Sequence, residues 1–291
     1  MINENIIEVK DMIKTIGDFS LKEISFSLER GYIMGFLGRN GAGKTTTIKT
    51  ILNLYVKESG IIDIFGLDNF NNEKEVKDKI GYVSDEKMYF DDMTIDKTRK
   101  LIKSFYSKWS DEYYFELLER FELNKSKKIK ELSKGSYKKF SILMALAHKP
   151  ELLVLDEPTS DLDPIFRKEF LNILRDFVSN EKNSVIFSSH ITNDLDKIAD
   201  YIVLIDNGEI KLNKSKEELL NNYRIVKGKE SFLNYFKEEY FIGYNKNDFS
   251  IEGLCSNIEV AKKLEKKGCV LEVPTLEDIM FYNVKGVEKN E

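Results

Sequence analysis

Residues Gly38-Arg39-Asn40-Gly41-Ala42-Gly43-Lys44-Thr45, followed by Thr46, have the types and spacing of a loop that holds phosphate. Glycines let successive backbone N–H groups turn inward around phosphate oxygens, and a helix starting at the loop's end adds its positive dipole. In such a loop Lys44 bridges the outer phosphates and the Thr45 hydroxyl ligates magnesium. Chance alone produces the pattern in roughly one chain in a hundred of this length. Here the flanks are the required ones: an apolar strand-like run, Tyr32 to Leu37, and a helix-competent stretch, Lys44 to Leu54.

A second group offers acid chemistry. The apolar run Leu152 to Leu155 ends in Asp156 and Glu157, at the C-terminal edge of a strand, where open α/β sheets bind ligands. Adjacent carboxylates suit two tasks: Asp156 holds the magnesium shell, and Glu157 orients and polarises the water that attacks a γ-phosphate. An isolated Asp-Glu at a strand end is an ordinary solvated turn, a reading that the phosphate loop reverses.

These groups need a sheet and helices to hold them. Near the N-terminus Leu21, Ile24, Phe26 and Leu28 follow a period of two, which predicts antiparallel strands. From about Met88 to His148 apolar residues recur three and four apart, the mark of an inserted helical subdomain. Buried strands return after Pro150, and Asn207-Gly208 predicts a tight hairpin. Asp163 is placed to cap a helix that begins at Pro164, with Phe166, Phe170, Leu174 and Phe177 on one face. Residues 1–214 read as one domain, and 215–291 as a small α+β accessory domain ending in a helix that Thr275 caps with Asp278.

The 291 residues, 42% hydrophobic and 33% charged, describe an ordinary globular protein, and a net charge of -5 gives no general attraction for nucleic acid, which is not an expected partner. No apolar run approaches the roughly 20 residues of a membrane-spanning helix, and the first residues lack a signal-peptide core. Cys255 and Cys269 lack metal-ligand spacing and read as small apolar side chains in a reducing cytoplasm.

Between the two chemical groups lies Leu132-Ser133-Lys134-Gly135-Ser136 at the head of a helix, and after them come EPTSDLD and then His190. Alone, Ser133 is a helix cap. In this order the set resembles the ABC ATPases over roughly residues 6–212, and LSKGS, LAHKPELLVLDEPTSDLDP and the C-terminal TLEDIMFY look like ABC-2-type bacterial exporters. The resemblance implies an α/β P-loop NTPase fold, an ABC ATPase core with a mixed sheet, an antiparallel β subdomain and the inserted helices, followed by the accessory domain. It implies ATP and Mg2+, and a head-to-tail pair of ATPase subunits, identical or not, in which Ser133 and Gly135 act on the partner's nucleotide. It also implies that His190 contacts the γ-phosphate and the catalytic water. A separate ABC-2-type transmembrane permease would hold the chain at the inner face of the cell membrane. His148 reads as structural.

Three departures stand out against that family. Asp85 occupies the place of a glutamine that senses magnesium and contacts the permease, and a carboxylate ligates magnesium directly or through water. Ile16 replaces an adenine-stacking aromatic, with Phe19 close by, which predicts weak discrimination between ATP and GTP. Lys134 and Ser136 replace a glycine and a glutamine. Met88, Tyr89, Phe90, Phe105 and Tyr106 fit either a permease-docking surface or the core of the helical subdomain. One rival reading keeps the ABC fold without transport, although such relatives usually need a long coiled-coil insertion or a second cassette and this sequence shows neither; the other is a GTPase, since Asp63-Ile64-Phe65-Gly66 fits DxxG and Asn245-Lys246-Asn247-Asp248 fits NKxD, although their spacing is wrong for one GTPase core.

Overall fold

The computed structural model describes residues 5–229, 232, 237–246, 249–285 and 287–289. The chain opens with β1 (Asn5–Ile16), β2 (Phe19–Glu29), β3 (Ile33–Leu37) and α1 (Lys44–Ile51), then β4 (Ser59–Ile64), β5 (Leu67–Asp68), α2 (Glu73–Asp78) and β6 (Ile80–Val83). A helical stretch follows: α3 (Ile95–Ile102), α4 (Asp111–Arg120) and α5 (Lys134–Leu146). Strands and helices then alternate through β7 (Leu152–Asp156), α6 (Pro164–Val178), β8 (Ser184–Ser189), α7 (Thr192–Ile198), β9 (Tyr201–Asp206) and β10 (Glu209–Ser215). The remainder comprises α8 (Lys216–Asn222), β11 (Arg224–Lys229), β12 (Gly243–Lys246), β13 (Ser250–Cys255), α9 (Ile258–Glu265), β14 (Val270–Glu272), α10 (Leu276–Lys285) and β15 (Val287–Lys289).

Three sheets result. The central one has the order β10-β9-β3-β8-β7-β6 and is parallel except for the β9–β10 hairpin, while β2-β1-β4-β5 is antiparallel throughout. Strands β3, β7 and β8 are buried along their whole length because the central sheet is covered on both faces. Their period of two divides the interior. Leu152 and Val154 point into a core shared with the antiparallel sheet and α1; Leu153 and Leu155 point into the other, with α4, α5 and α6. Both strands and helices therefore bear on one sheet edge, at the C-terminal ends of β3, β7 and β8.

Local sequence explains the ends of several elements. Ser133 and Asp163 cap α5 and α6 by accepting bonds from Ser136 N and from Ile165 N and Phe166 N, and Pro164 opens α6 as the first residue. Phe166, Phe170 and Leu174 on that helix are buried, and Phe177 packs against the same core. Asn207 and Gly208 take positive φ in the hairpin that pairs Asp206 with Glu209. The DxxG segment is likewise a hairpin: Phe65 and Gly66, at φ 58 and 77, join β4 to β5. It belongs to the antiparallel sheet as a turn, which removes the GTPase reading; Asn245 and Lys246 lie on β12, and Asn247 and Asp248 lie outside the described residues.

The third sheet, β14-β11-β13-β12-β15, is built from residues beyond 223 and has a core of its own in which both cysteines are buried. Helix α10, capped by Thr275 and Asp278 in reciprocal bonds, leaves that unit and packs Leu276, Ile279 and Tyr282 into the main core beside α7.

His148 follows α5 and is 1% exposed, stacked on Tyr106 with ring centroids 3.9 Å apart. Its Nε2 lies 3.0 Å from the Ile80 carbonyl oxygen, so the neutral ring donates from Nε2. Burial outweighs the Ile80 and Met144 carbonyls and Asp78, and pushes the imidazole down to about 4. As pH falls below 6.5 the unfolded chain takes up this proton first, so stability present above that pH is lost progressively towards pH 4. We expect His148→Gln to remove up to about 3 kcal/mol of the stability difference between pH 7 and pH 4, read by urea unfolding at each pH.

Candidate nucleotide site

The loop between β3 and α1 is fixed by two glycines for different reasons. A Cβ on Gly38 would lie 2.4 Å from the Ile205 carbonyl oxygen, a backbone atom that cannot retreat. Gly43, just ahead of α1, has φ +116, and a Cβ there would meet Leu21 Cδ2 at 2.8 Å and Phe19 Cζ at 2.9 Å. Lys44 is only 6% exposed and folds back over the loop, donating to the carbonyls of Gly38 at 2.7 Å and Arg39 at 3.3 Å. The result is a constrained loop with an ammonium held against it, suited to receive anionic oxygens.

Facing it is the end of β7. Asp156 is fully buried, with Oδ2 accepting from Thr45 Oγ1 at 2.8 Å and Oδ1 from Ser188 Oγ at 2.6 Å. Glu157 takes the left-handed conformation at φ 46, an uncommon state for a residue with a Cβ, and its N–H is held by Ser188. One carboxylate oxygen, Oε2, lies 2.8 Å from His190 Nδ1, and an ionised Glu157 can only accept, so His190 carries a proton on Nδ1. The other, Oε1, is buried and has no hydrogen-bond partner among the described residues; Lys44 Nζ is 3.4 Å away, an ion pair without hydrogen-bond geometry. The orphaned oxygen is open to a hydrogen bond from a ligand or water, and the Thr45 hydroxyl with the Asp156 carboxylate is an oxygen set that suits magnesium, which takes one or two carboxylates and completes its shell with water and substrate phosphate. Among the described residues no cluster of three or more acidic, histidine or cysteine side chains forms a metal site by itself.

A cavity of about 450 Å³ joins these groups, lined among others by Asn40, Thr46, Asp85 and Glu157 and, on its apolar side, by Ile16, Phe19 and Tyr55. Phe19 and Tyr55 supply aromatic surface at the place where Ile16 supplies none. Asp85 lies on the loop after β6 and pairs with Lys138 at 3.3 Å. Ala42 is buried behind the loop, and Arg39, Gly41 and Thr45 line the cavity with Lys44. Ser133 and Gly135 do not line it; they stand at the N-terminus of α5. Two participants were not legible as site residues: Ser188, which looks like any strand serine until register sets it opposite Asp156, and Lys138, one of many lysines.

A family model described as ABC transporter matches residues 21–160. The ABC transporter ATP-binding protein YtrB of Bacillus subtilis is 31% identical over 218 residues, which span 75% of this chain and 74% of the relative. The chain belongs to the ABC transporter ATP-binding family. The bacitracin transport ATP-binding protein BcrA of Bacillus licheniformis is 34% identical over 70% of this chain and 68% of its own length. Among solved structures, the ATP-binding subunit of an ABC transporter superposes with a TM-score of 0.69 at 26% identity, covering 74% of this chain and 92% of that one. A dimeric ATP-binding cassette bound to ADP and Pi shares the fold, with a TM-score of 0.64 at 22% identity over 72% of this chain and 98% of that one.

As a member of this family the chain is the ATP-binding, ATP-hydrolysing subunit of an ABC transporter. Its P-loop fold agrees with the phosphate loop and Asp-Glu strand. For an ABC ATPase the Ser188 hydroxyl is the link between the two carboxylates, bonded to Asp156 and to the Glu157 N–H. Ser188→Ala leaves a buried carboxylate oxygen without its donor. We expect it to cost about 1–3 kcal/mol in urea unfolding, because the Asp156 charge is retained without that partner.

Proposed function

We propose that the chain powers a bacterial exporter by hydrolysing ATP in a head-to-tail pair of ATPase subunits coupled to a separate ABC-2-type permease. The observation that carries this reading is the division of the Glu157 carboxylate: one oxygen held by His190, the other buried, orphaned and beside Lys44. A carboxylate so placed accepts a proton or hydrogen bond from a water that no protein group competes for.

In this mechanism the backbone N–H groups of residues 40–45 and the Lys44 ammonium cradle the outer phosphates, and Thr46 adds a contact at the head of α1. Thr45, Asp156 and Asp85 are the residues that would hold magnesium, which would supply charge neutralisation at the phosphate oxygens. Glu157 orients the attacking water. His190 fixes the Glu157 carboxylate through Nδ1 and presents the rest of its ring to the γ-phosphate. Ser133 and Gly135 stand at the head of α5 and do not line the cavity of their own chain, which favours action on the nucleotide of the partner subunit, where the helix N-terminus adds favourable dipole.

The aromatic cluster after β6 divides between the two roles open to it. Tyr89 packs on Phe140 and Tyr106 on His148, while Met88, Phe90 and Phe105 are 53%, 68% and 70% exposed. Beside them an apolar cavity of about 250 Å³ is lined by Leu54, Tyr82, Tyr89 and Tyr106, a surface that suits a permease helix. No helix among the described residues is long and apolar enough to cross a membrane; in this reading the permease supplies the pore and holds the ATPase at the inner membrane face. The likeness to a bacitracin transport protein favours the ABC-2-type group. Residues 215–291 act as an accessory domain.

The test is magnesium-dependent ATP turnover and sedimentation mass of wild type and Glu157→Gln. We expect the variant to lose turnover by at least about 100-fold while still binding ATP, and to accumulate as a dimer with it. Wild-type turnover in the variant would remove Glu157 from the chemistry; a monomer with ATP bound would remove the paired mechanism.

A further inference from the structure

We infer that Lys138 is a positioning residue: its buried ammonium ties the Asp85 loop to the peptide that carries Glu157, so that helix α5, the Asp85 loop and the hydrolytic carboxylate keep one geometry. The inference rests on the role proposed for Glu157.

The Lys138 side chain is 4% exposed. Its Nζ lies 3.3 Å from the Ser84 carbonyl oxygen, 3.3 Å from Asp85 Oδ1 and 3.2 Å from the Glu157 carbonyl oxygen. An ammonium has three N–H donors, and here each has one acceptor from a different residue. A buried cation persists only when it is paired and hydrogen-bonded, and among the described residues Asp85 is the one carboxylate that pairs with it.

Neighbouring residues of α5 extend the same grip. The Met88 N–H donates to Tyr137 Oη at 2.6 Å, and the Tyr89 ring meets Phe140 edge-on at 5.1 Å. Residues 84–89 are thus fastened to α5 at both ends, by Lys138 at one and by Tyr137 and Phe140 at the other. Lys139 points elsewhere, over the Phe166 ring at 4.3 Å and 4.0 Å from Asp163. Of the two adjacent lysines, only Lys138 reaches the Glu157 peptide, whose left-handed φ of 46 is a conformation that its surroundings must hold.

The experiment compares ATP turnover and ATP affinity, at saturating magnesium, for the full chain carrying Lys138→Met, Asp85→Asn, both, or Glu157→Gln. Methionine keeps the apolar stem and removes the charge. We expect Lys138→Met to lower kcat by at least about tenfold with the Kd for ATP unchanged within about twofold, since the phosphate loop does not touch Lys138. Asp85→Asn should lower kcat less, and the double variant should be no worse than Lys138→Met alone, because both break one contact. A wild-type kcat in Lys138→Met, a matching loss of ATP affinity, or additive effects in the double variant would overturn the inference. Should Lys138→Met not fold, Lys138→Gln decides, and an unchanged kcat in it counts against the inference. Glu157→Gln separates the two levels: if it is inactive while Lys138→Met is fully active, only the role of Lys138 falls; if Glu157→Gln is active, the underlying reading falls first.

Discussion

A carboxylate buried at the end of β7 is the constraint on which the site depends. Asp156 has no exposed surface, and an ionised group in that position survives only if donors surround it. Thr45 donates from the head of α1 and Ser188 from the paired residue of β8, so the anion locks the phosphate loop to the sheet edge from two sides. The same Ser188 holds the Glu157 N–H, and through it the strained peptide whose side chain faces Lys44 and His190. Loop, strand end and histidine are therefore one hydrogen-bonded unit, set before any ligand binds.

The surroundings make that unit stiff on one side and connected on the other. Beneath it, β3, β7 and β8 are covered on both faces, and alternate residues feed two separate cores. Above it, α5 reaches the site through Lys138, and α7 begins two residues after His190. Asp194 on α7 binds Thr159 at 2.7 Å and Arg167 at 2.7 Å, which ties the segment after Glu157 to the helix after His190. Helix α10 of the C-terminal unit packs against that same α7. Any displacement of α7 would be felt both at His190 and in the accessory unit.

How much of this was legible in the sequence follows from how far each feature reaches along the chain. The phosphate loop, the Asp-Glu pair, the caps at Ser133, Asp163 and Thr275 and the Asn207-Gly208 hairpin are local patterns, and each occupies the element expected of it. Ser188 and Lys138 were not legible, because strand register and helix packing bring them to Asp156 and Glu157 from 32 and 19 residues away. DxxG failed as a functional signal for the opposite reason: so short a pattern also describes a two-residue hairpin, and Phe65 and Gly66 form one. The aromatic cluster could not be assigned to core or surface by composition, since its residues lie on the connections flanking α3, whose path decides exposure residue by residue.

The most direct measurement is calorimetric binding of a non-hydrolysable ATP analogue to wild type and Asp156→Asn, each with and without magnesium. If Thr45, Asp156 and the loop form a joint phosphate and metal receptor, magnesium will tighten binding to wild type by at least about tenfold, and that increment will vanish in the variant while metal-free binding persists. Equal affinity in wild type with and without magnesium, or an undiminished magnesium effect in Asp156→Asn, would contradict the account.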